Sequence, residues 1–215
     1  MQAVILAGGL SKRLGGVPKA GLMRDGQTLL VRTLDAAVQA MTPQSMIAVV
    51  GPVEKVVGWL AGSQQRNFVV TVQEDPPYAG PAAGISAGLA VLEERSGDAS
   101  GSNHVLILAC DMPHASEVVR LLLSALRRCN EDQGVMAVTG GRKQPLAAIY
   151  PLASLRAAVA AARAAHRLEN ASVFSLLATV KINDCVMPAG LTADIDTWED
   201  ARAQGIVAGP PDAKG

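Results

Sequence analysis

Short apolar runs rich in β-branched residues recur along this chain, separated by longer stretches in which apolar residues return every three or four positions. A run of four to eight apolar residues suits a strand buried on both faces, whereas the longer spacing makes a single buried stripe on a helix. Alternation of the two is the pattern of βαβ units, and it commits the chain to an α/β fold around a mostly parallel sheet. Strands are predicted over 3–7, 46–50, 68–73, 104–109, 134–138, 146–150 and 180–186. Helices are predicted over 28–41, 53–61, 83–95, 116–129, 152–166, 172–178 and 197–203. The segment 116–129 shows the rule most plainly: Val118, Leu122 and Leu126 lie one turn apart with Val119 and Leu123 beside them, and Arg120, Arg127 and Arg128 occupy the other face.

With 215 residues, 49% of them hydrophobic, the chain can bury one sizeable core, so one domain is expected over 1–208 with a flexible tail over 209–215. The stretch 97–103 reads as a surface connection, because the βαβ rhythm resumes directly after it. The Ala-rich stretch 157–165 is a strong helix former, and no internal repeat is visible. Nineteen Lys and Arg balance nineteen Asp and Glu, so no bulk field draws the protein to nucleic acid or to an anionic membrane. No apolar run approaches the roughly 20 residues of a membrane span, and Met1 leads straight into a strand and a glycine loop, so a cytoplasmic protein is expected. Cys110, Cys129 and Cys185 are odd in number and lack C-x-x-C spacing, and His104, His114 and His166 form no ligand pattern; neither a disulfide framework nor a zinc site is implied.

Chemistry concentrates after the first predicted strand, in Leu6-Ala7-Gly8-Gly9-Leu10-Ser11-Lys12-Arg13-Leu14-Gly15-Gly16-Val17-Pro18-Lys19. Glycines let backbone N–H groups approach phosphate oxygens with no Cβ in the way, and Ser11, Lys12, Arg13 and Lys19 bring donors and positive charge. The carboxyl end of a parallel strand is also where open α/β sheets build ligand sites. Neither G-x-x-x-x-G-K-[ST] nor G-x-G-x-x-G fits the spacing, which leaves a polyphosphate loop of another kind.

The motif L-A-G-G-x-S-x-R-x-G-x-x-x-K at 6–19 resembles the signature of the molybdenum cofactor guanylyltransferases, within the wider superfamily of nucleotide-diphospho-sugar and cofactor nucleotidyltransferases. The likeness continues in Glu74-Asp75 with Gly80-Pro81-Ala82-Ala83-Gly84, in Cys110-Asp111-Met112-Pro113, in Gln144-Pro145-Leu146 and in Asp194-Ile195-Asp196-Thr197-Trp198-Glu199-Asp200. It covers roughly residues 1–203, with the motifs in order. The resemblance implies a three-layer, Rossmann-like sheet with helices on both faces. It also implies transfer of GMP from GTP to molybdopterin, and transient contacts with other cofactor-biosynthesis proteins. Leu6, Ala7, Gly8, Gly9, Ser11, Lys12, Arg13, Lys19, Asp75, Gly80, Pro81, Gly84 and Asp111 would hold the nucleotide, with Gln144 and Pro145 on the acceptor side. Three departures stand out: the spacing from the last loop glycine to Lys19 is one residue looser than the tightest family form, Asp194 and Asp196 occupy positions usually Asn, and Gly51-Pro52 replaces an Asn after the second strand. Gly8 agrees with the guanylyl members, since the cytidylyl relatives tend to carry Ala there. A cytidylyl- or uridylyltransferase, or a non-catalytic nucleotide-binding scaffold, are the alternatives.

Asp111 follows the continuous apolar strand 104–109 and should emerge beside the glycine loop, where a carboxylate can hold Mg²⁺. Asp196 is the candidate second ligand. Each has a plainer alternative as a helix cap, although Ser116 is the better cap for the helix after Asp111. A phosphate monoester with a second pKa near ~6 is already largely ionised at neutral pH, so attack on the α-phosphorus of GTP requires no general base. Catalysis would rest on alignment and charge neutralisation, with Arg13, Lys19 and Asp111 as the catalytic residues.

Overall fold

The computed structural model describes residues 1–42, 45–96 and 103–209 of the chain. In chain order the elements are β1 (Gln2–Leu6), β2 (Met23–Arg24), β3 (Gln27–Thr28), α1 (Leu29–Val38), β4 (Ile47–Val50), α2 (Val53–Trp59), β5 (Val69–Val72) and α3 (Pro81–Ser96). There follow β6 (His104–Ala109), α4 (Ala115–Leu126), β7 (Gly134–Thr139), β8 (Arg142–Pro151), α5 (Leu152–Ala164), α6 (Val173–Leu176), β9 (Ile182–Val186) and α7 (Trp198–Ala203).

Seven strands form one sheet in the order β5-β4-β1-β6-β8-β7-β9, in which β8 alone runs against its neighbours. Its direction has a local cause. A two-residue loop, Gly140 and Gly141 at φ 56° and 76°, joins it to β7, and only a hairpin can be that short. Across the parallel half the strand ends are level: Leu6 pairs with Val50 on one side and Ala109 on the other, and Val50 pairs with Val72. From β1 the chain winds outward through β4 and β5, then returns past β1 to begin β6. That reversal opens a crevice at the carboxyl edge, where ligands of open α/β sheets bind.

Side chains alternate between two cores. Ile5, Ile47 and Leu106 face α1, α2 and α4, whereas Val4, Ala48 and Ile107 face α3, α5 and α6. The three-layer arrangement expected from the sequence is therefore present. A third, smaller core joins Leu14, Leu22, Leu29, Ile195, Ala201 and Ile206. It fastens the glycine loop to the segment before α7.

Several expectations need adjustment. The strand predicted over 68–73 begins at Val69, after a 3-10 turn over Arg66–Phe68. The strand predicted over 146–150 begins four residues earlier, because the hairpin pairs Arg142 with Thr139. The small β2–β3 hairpin was not expected; its turn is Asp25-Gly26 at φ 51° and 78°. Ser116 does not cap α4. The helix starts at Ala115 with no side-chain cap, and the Ser116 hydroxyl accepts a hydrogen bond from Gln39 instead. The connection 97–103 lies outside the described residues except for Asn103, and the predicted tail does so except for Gly209, which packs on the backbone of Gly21.

Candidate active site

Beyond β1 the chain stays extended for one residue, because Ala7 N–H donates to Val50 O at 2.8 Å. It then turns through Gly9 at φ 148°, a conformation that side chains resist. The Ser11 carbonyl accepts from the N–H groups of Leu14 and Gly16, closing a 3-10 turn over Lys12–Leu14. Leu14 is buried in the third core, so one face of the turn is anchored while Lys12 and Arg13 stay exposed. Buried Ala20 then pins a second short turn, Lys19–Gly21, at whose start Lys19 points back to the sheet edge.

Lys19 Nζ lies 2.8 Å from Asp111 Oδ2 and 2.6 Å from Asp196 Oδ1, and Arg13 reaches the other Asp196 oxygen at 3.3 Å. Asp111 is placed by β6, since Cys110 N–H donates to Leu6 O at 3.1 Å. Asp196 is placed by its neighbours: Ile195 N–H donates to Asp111 O at 3.2 Å, and Ile195 sits in the third core. Thr197, not Asp196, caps α7. It does so in a capping box with Asp200, whose carboxylate also accepts from Asp196 N–H. Relieved of capping, the Asp196 carboxylate is free to face Lys19.

Burial alone would lower the pKa of the Lys19 ammonium, but the charge and hydrogen bond of Asp111, and those of Asp196, outweigh it and push the value above its usual range. The Asp194 carboxyl moves upward through desolvation, together with the like charges of Asp111 and Asp196. The Cys110 thiol is buried and driven up, first by desolvation and then by Asp111, so it stays protonated and inert.

These groups line one end of a cleft of about 640 Å³. From the glycine loop, residues 6–13 and Lys19 border it but 14–18 do not, and Gly80, Pro81, Gly84, Asp111 and Asp196 border it as well. The close approach of α3 to β1 depends on Gly84, where a Cβ would stand 3.1 Å from Leu6 Cδ2. Gly51, in place of the family's Asn, is packed on the loop: a Cβ there would come within 3.2 Å of the Ala7 carbonyl carbon. Asp75, Gln144 and Pro145 do not line the cleft. Asp75 is exposed and borders a second, smaller groove with Arg163 and His166, while Glu74 borders both that groove and the main cleft and Tyr78 lines the main cleft. On β8 it is Leu146 that lines it, and the Pro145 carbonyl accepts from the buried Tyr150 hydroxyl at 2.7 Å.

A metal can be judged against this donor set. No group of three His, Cys, Asp or Glu residues suited to a metal occurs among the described residues. Asp111 and Asp196 nonetheless converge on one cation, the Lys19 ammonium. Two carboxylates completed by phosphate oxygens and water are the usual protein share of a Mg²⁺ site, so the residues fit that ion.

The sequence pattern of the MobA-like NTP transferase domain matches residues 3–180. This chain belongs to the MobA-like NTP transferase family. Among its MobA-like relatives, the molybdenum cofactor guanylyltransferase of Acidiphilium cryptum is 34% identical over 158 residues, 72% of this chain and 68% of that protein. That of Pseudomonas fluorescens is 33% identical over 156 residues, 73% and 70% of the two chains. A nucleotidyl transferase from Methanothermobacter superposes with a TM-score of 0.66 at 16% identity, over 95% of both chains. The 4-diphosphocytidyl-2C-methyl-D-erythritol synthase of Anaerococcus prevotii gives 0.66 at 17%, over 95% of this chain and 93% of the other. At such identities these two structures establish the MobA-like chain's fold. It is the nucleotide-diphospho-sugar transferase type of α/β sheet. No helix among the described residues is long and apolar enough to cross a membrane.

Proposed function

We propose that this nucleotidyltransferase moves GMP from GTP to molybdenum-loaded molybdopterin, releasing pyrophosphate, in a Mg²⁺-dependent reaction. The observation that carries the reading is the convergence of Asp111 and Asp196 on one cation beside the glycine loop. Mg²⁺ held by these two carboxylates would neutralise phosphate charge. The remaining work belongs to the chain. Gly8 and Gly9 bring backbone to the phosphates without side-chain obstruction, and Lys12, Arg13 and Lys19 offset the charge on the α-phosphoryl group and the departing pyrophosphate. The terminal phosphate of the pterin attacks already ionised, so no general base is required. The names of the relatives support the acceptor, and Gly8 supports GTP.

Purified protein with Mg²⁺, molybdenum-loaded molybdopterin and each of GTP, CTP, UTP and ATP provides the test, read as pyrophosphate release. GTP should be used best. Faster turnover with CTP or UTP would replace the reading with a cytidylyl- or uridylyltransferase, and no release with any triphosphate would leave a nucleotide-binding scaffold.

A further inference from the structure

The Lys19 ammonium holds the same oxygens that a divalent ion would need. Its Nζ directs donors at Asp111 Oδ2, 2.8 Å away, and at Asp196 Oδ1, 2.6 Å away, while Arg13 takes Asp196 Oδ2 at 3.3 Å. Three of the four oxygens on these two carboxylates are thus engaged by cations of the chain itself. In charge, too, Asp111 and Asp196 are matched one for one by Lys19 and Arg13. Mg²⁺ contacts its oxygen ligands at about 2.0–2.1 Å and tolerates little departure from octahedral geometry. Two cations at such separations from one pair of oxygens repel strongly, so the ammonium and the metal are alternatives. Arg13 yields readily, because its side chain is 75% exposed. Lys19 is the firmer hold.

The backbone beneath Lys19 is fixed. Ala20 and Leu22 are buried, Gly21 N–H donates to Pro18 O, and Leu22 N–H donates to Lys19 O. Above that base the four-carbon stem can rotate without disturbing the loop. The same side chain borders the cleft together with Gly8, Gly9 and Lys12, where the phosphates of a nucleotide would lie. An ammonium has three donors, and a triphosphate offers it more negative charge than two carboxylates already shared with Arg13.

We propose that Lys19 makes metal binding conditional on nucleotide: without phosphate in the cleft its ammonium takes the place of Mg²⁺ between Asp111 and Asp196, and a bound triphosphate draws it away. This rests on the Mg²⁺ reading above. Lys19 is then a competing ligand built into the chain. The apparent affinity for metal is reduced by the fraction of molecules whose carboxylates are open, and the nucleotide removes that reduction. By reciprocity the metal strengthens nucleotide binding by the same factor. The enzyme thus takes up its metal with the triphosphate rather than before it.

Titration of Mn²⁺ into nucleotide-free protein, with the free ion read by electron paramagnetic resonance, tests the competition, since Mn²⁺ accepts the same oxygen ligands. Lys19→Met and Lys19→Gln should each bind one Mn²⁺ at least about tenfold tighter than wild type, within the ordinary range of coupling between two ligands. Glutamine keeps an uncharged donor for the carboxylates, so it serves where methionine fails to fold. Adding Asp111→Asn to Lys19→Gln should abolish the gain. In wild type the ¹⁵N resonance of the Lys19 ammonium, assigned by its loss in Lys19→Gln, should shift when GTP is added in the presence of a chelator. Equal Mn²⁺ affinity in wild type and in the Lys19 variants, or GTP that binds and leaves the resonance in place, overturns the conditional role of Lys19. The metal reading is judged apart, by Mn²⁺ retention in the presence of GTP: an Asp111→Asn protein that retains Mn²⁺ as wild type does overturns it.

Discussion

Lys19 holds apart two carboxylates that would otherwise face one another at the mouth of the cleft, and its ammonium is only one-fifth exposed. Lys19→Met should therefore cost about 1–3 kcal/mol of stability, the scale of leaving a partly buried charged group unpaired. Adding Asp111→Asn should restore part of it by removing one of the two like charges. Urea unfolding of both variants settles the matter, and a Lys19→Met protein as stable as wild type would show that the pair carries no structural weight. Asp111→Ala alone should lower turnover by about a hundredfold or more, the scale of losing one preorganised electrostatic group, with an intact circular dichroism spectrum. Wild-type rates in that variant would remove Asp111 from the chemistry. Lys19 and Asp111 were legible in the sequence because polar residues that break off a fully apolar strand, or follow a glycine loop, have few other places to go, whereas Asp196 was reached only through the resemblance of 194–200 to the family's closing motif. Glu74 was harder to see beside Asp75. The period of two through Val70 and Val72 carries past the end of β5 and turns residue 74 toward α3, leaving 75 in solvent.

Helix α7 illustrates how a short element can decide the position of a functional side chain. Six residues cannot sustain a helix by themselves, so the Thr197–Asp200 box and the buried Ala201 and Ile195 hold it in place. Thr197→Ala should cost about 1 kcal/mol and loosen Asp196 with it. Bonds from the Thr197 hydroxyl and backbone N–H hold the Asp200 carboxyl below its ordinary pKa. Because the folded value lies below the unfolded one, this stabilisation is complete above the ordinary carboxylate range and disappears as the pH falls through the folded value. Asp200→Asn should accordingly flatten the acid side of the stability–pH curve, and a curve of unchanged slope would deny the box that role. The T-x-x-D spacing of this box stands in the sequence, but the sequence reading named Asp196 as the helix's candidate cap instead, whereas the sheet was announced by runs buried on both faces. The sequence concealed the β2–β3 hairpin, whose Asp25-Gly26 turn is a strong signal flanked by strands of only two residues, too short for any periodicity.

For the molecule as a whole, the site exists because three separated stretches are drawn to one sheet edge. The glycine loop leaves β1, Asp111 leaves β6, and the segment carrying Asp196 returns from the far end of the chain through the third core. The strands could be read from sequence, but their order could not, since a β8 inserted antiparallel between β6 and β7 leaves the apolar runs themselves unchanged. This construction makes the core and the ligand thermodynamically linked: a nucleotide that gathers Lys19, Asp111 and Asp196 must also tighten Leu14 and Ile195 behind them. A ligand at about a hundred times its Kd stabilises the folded state by about 2.7 kcal/mol, which for a chain of this size corresponds to a rise in Tm of roughly 5–10 °C. GTP with Mg²⁺ should produce that rise, and GTP with a chelator a smaller one. In Asp111→Ala the two conditions should converge, because the carboxylate that distinguishes them is gone. Thermal unfolding of both proteins decides it: an equal rise with and without Mg²⁺ in the wild type would mean that the metal is not held at Asp111 and Asp196, and a difference that persists in the variant would place it elsewhere.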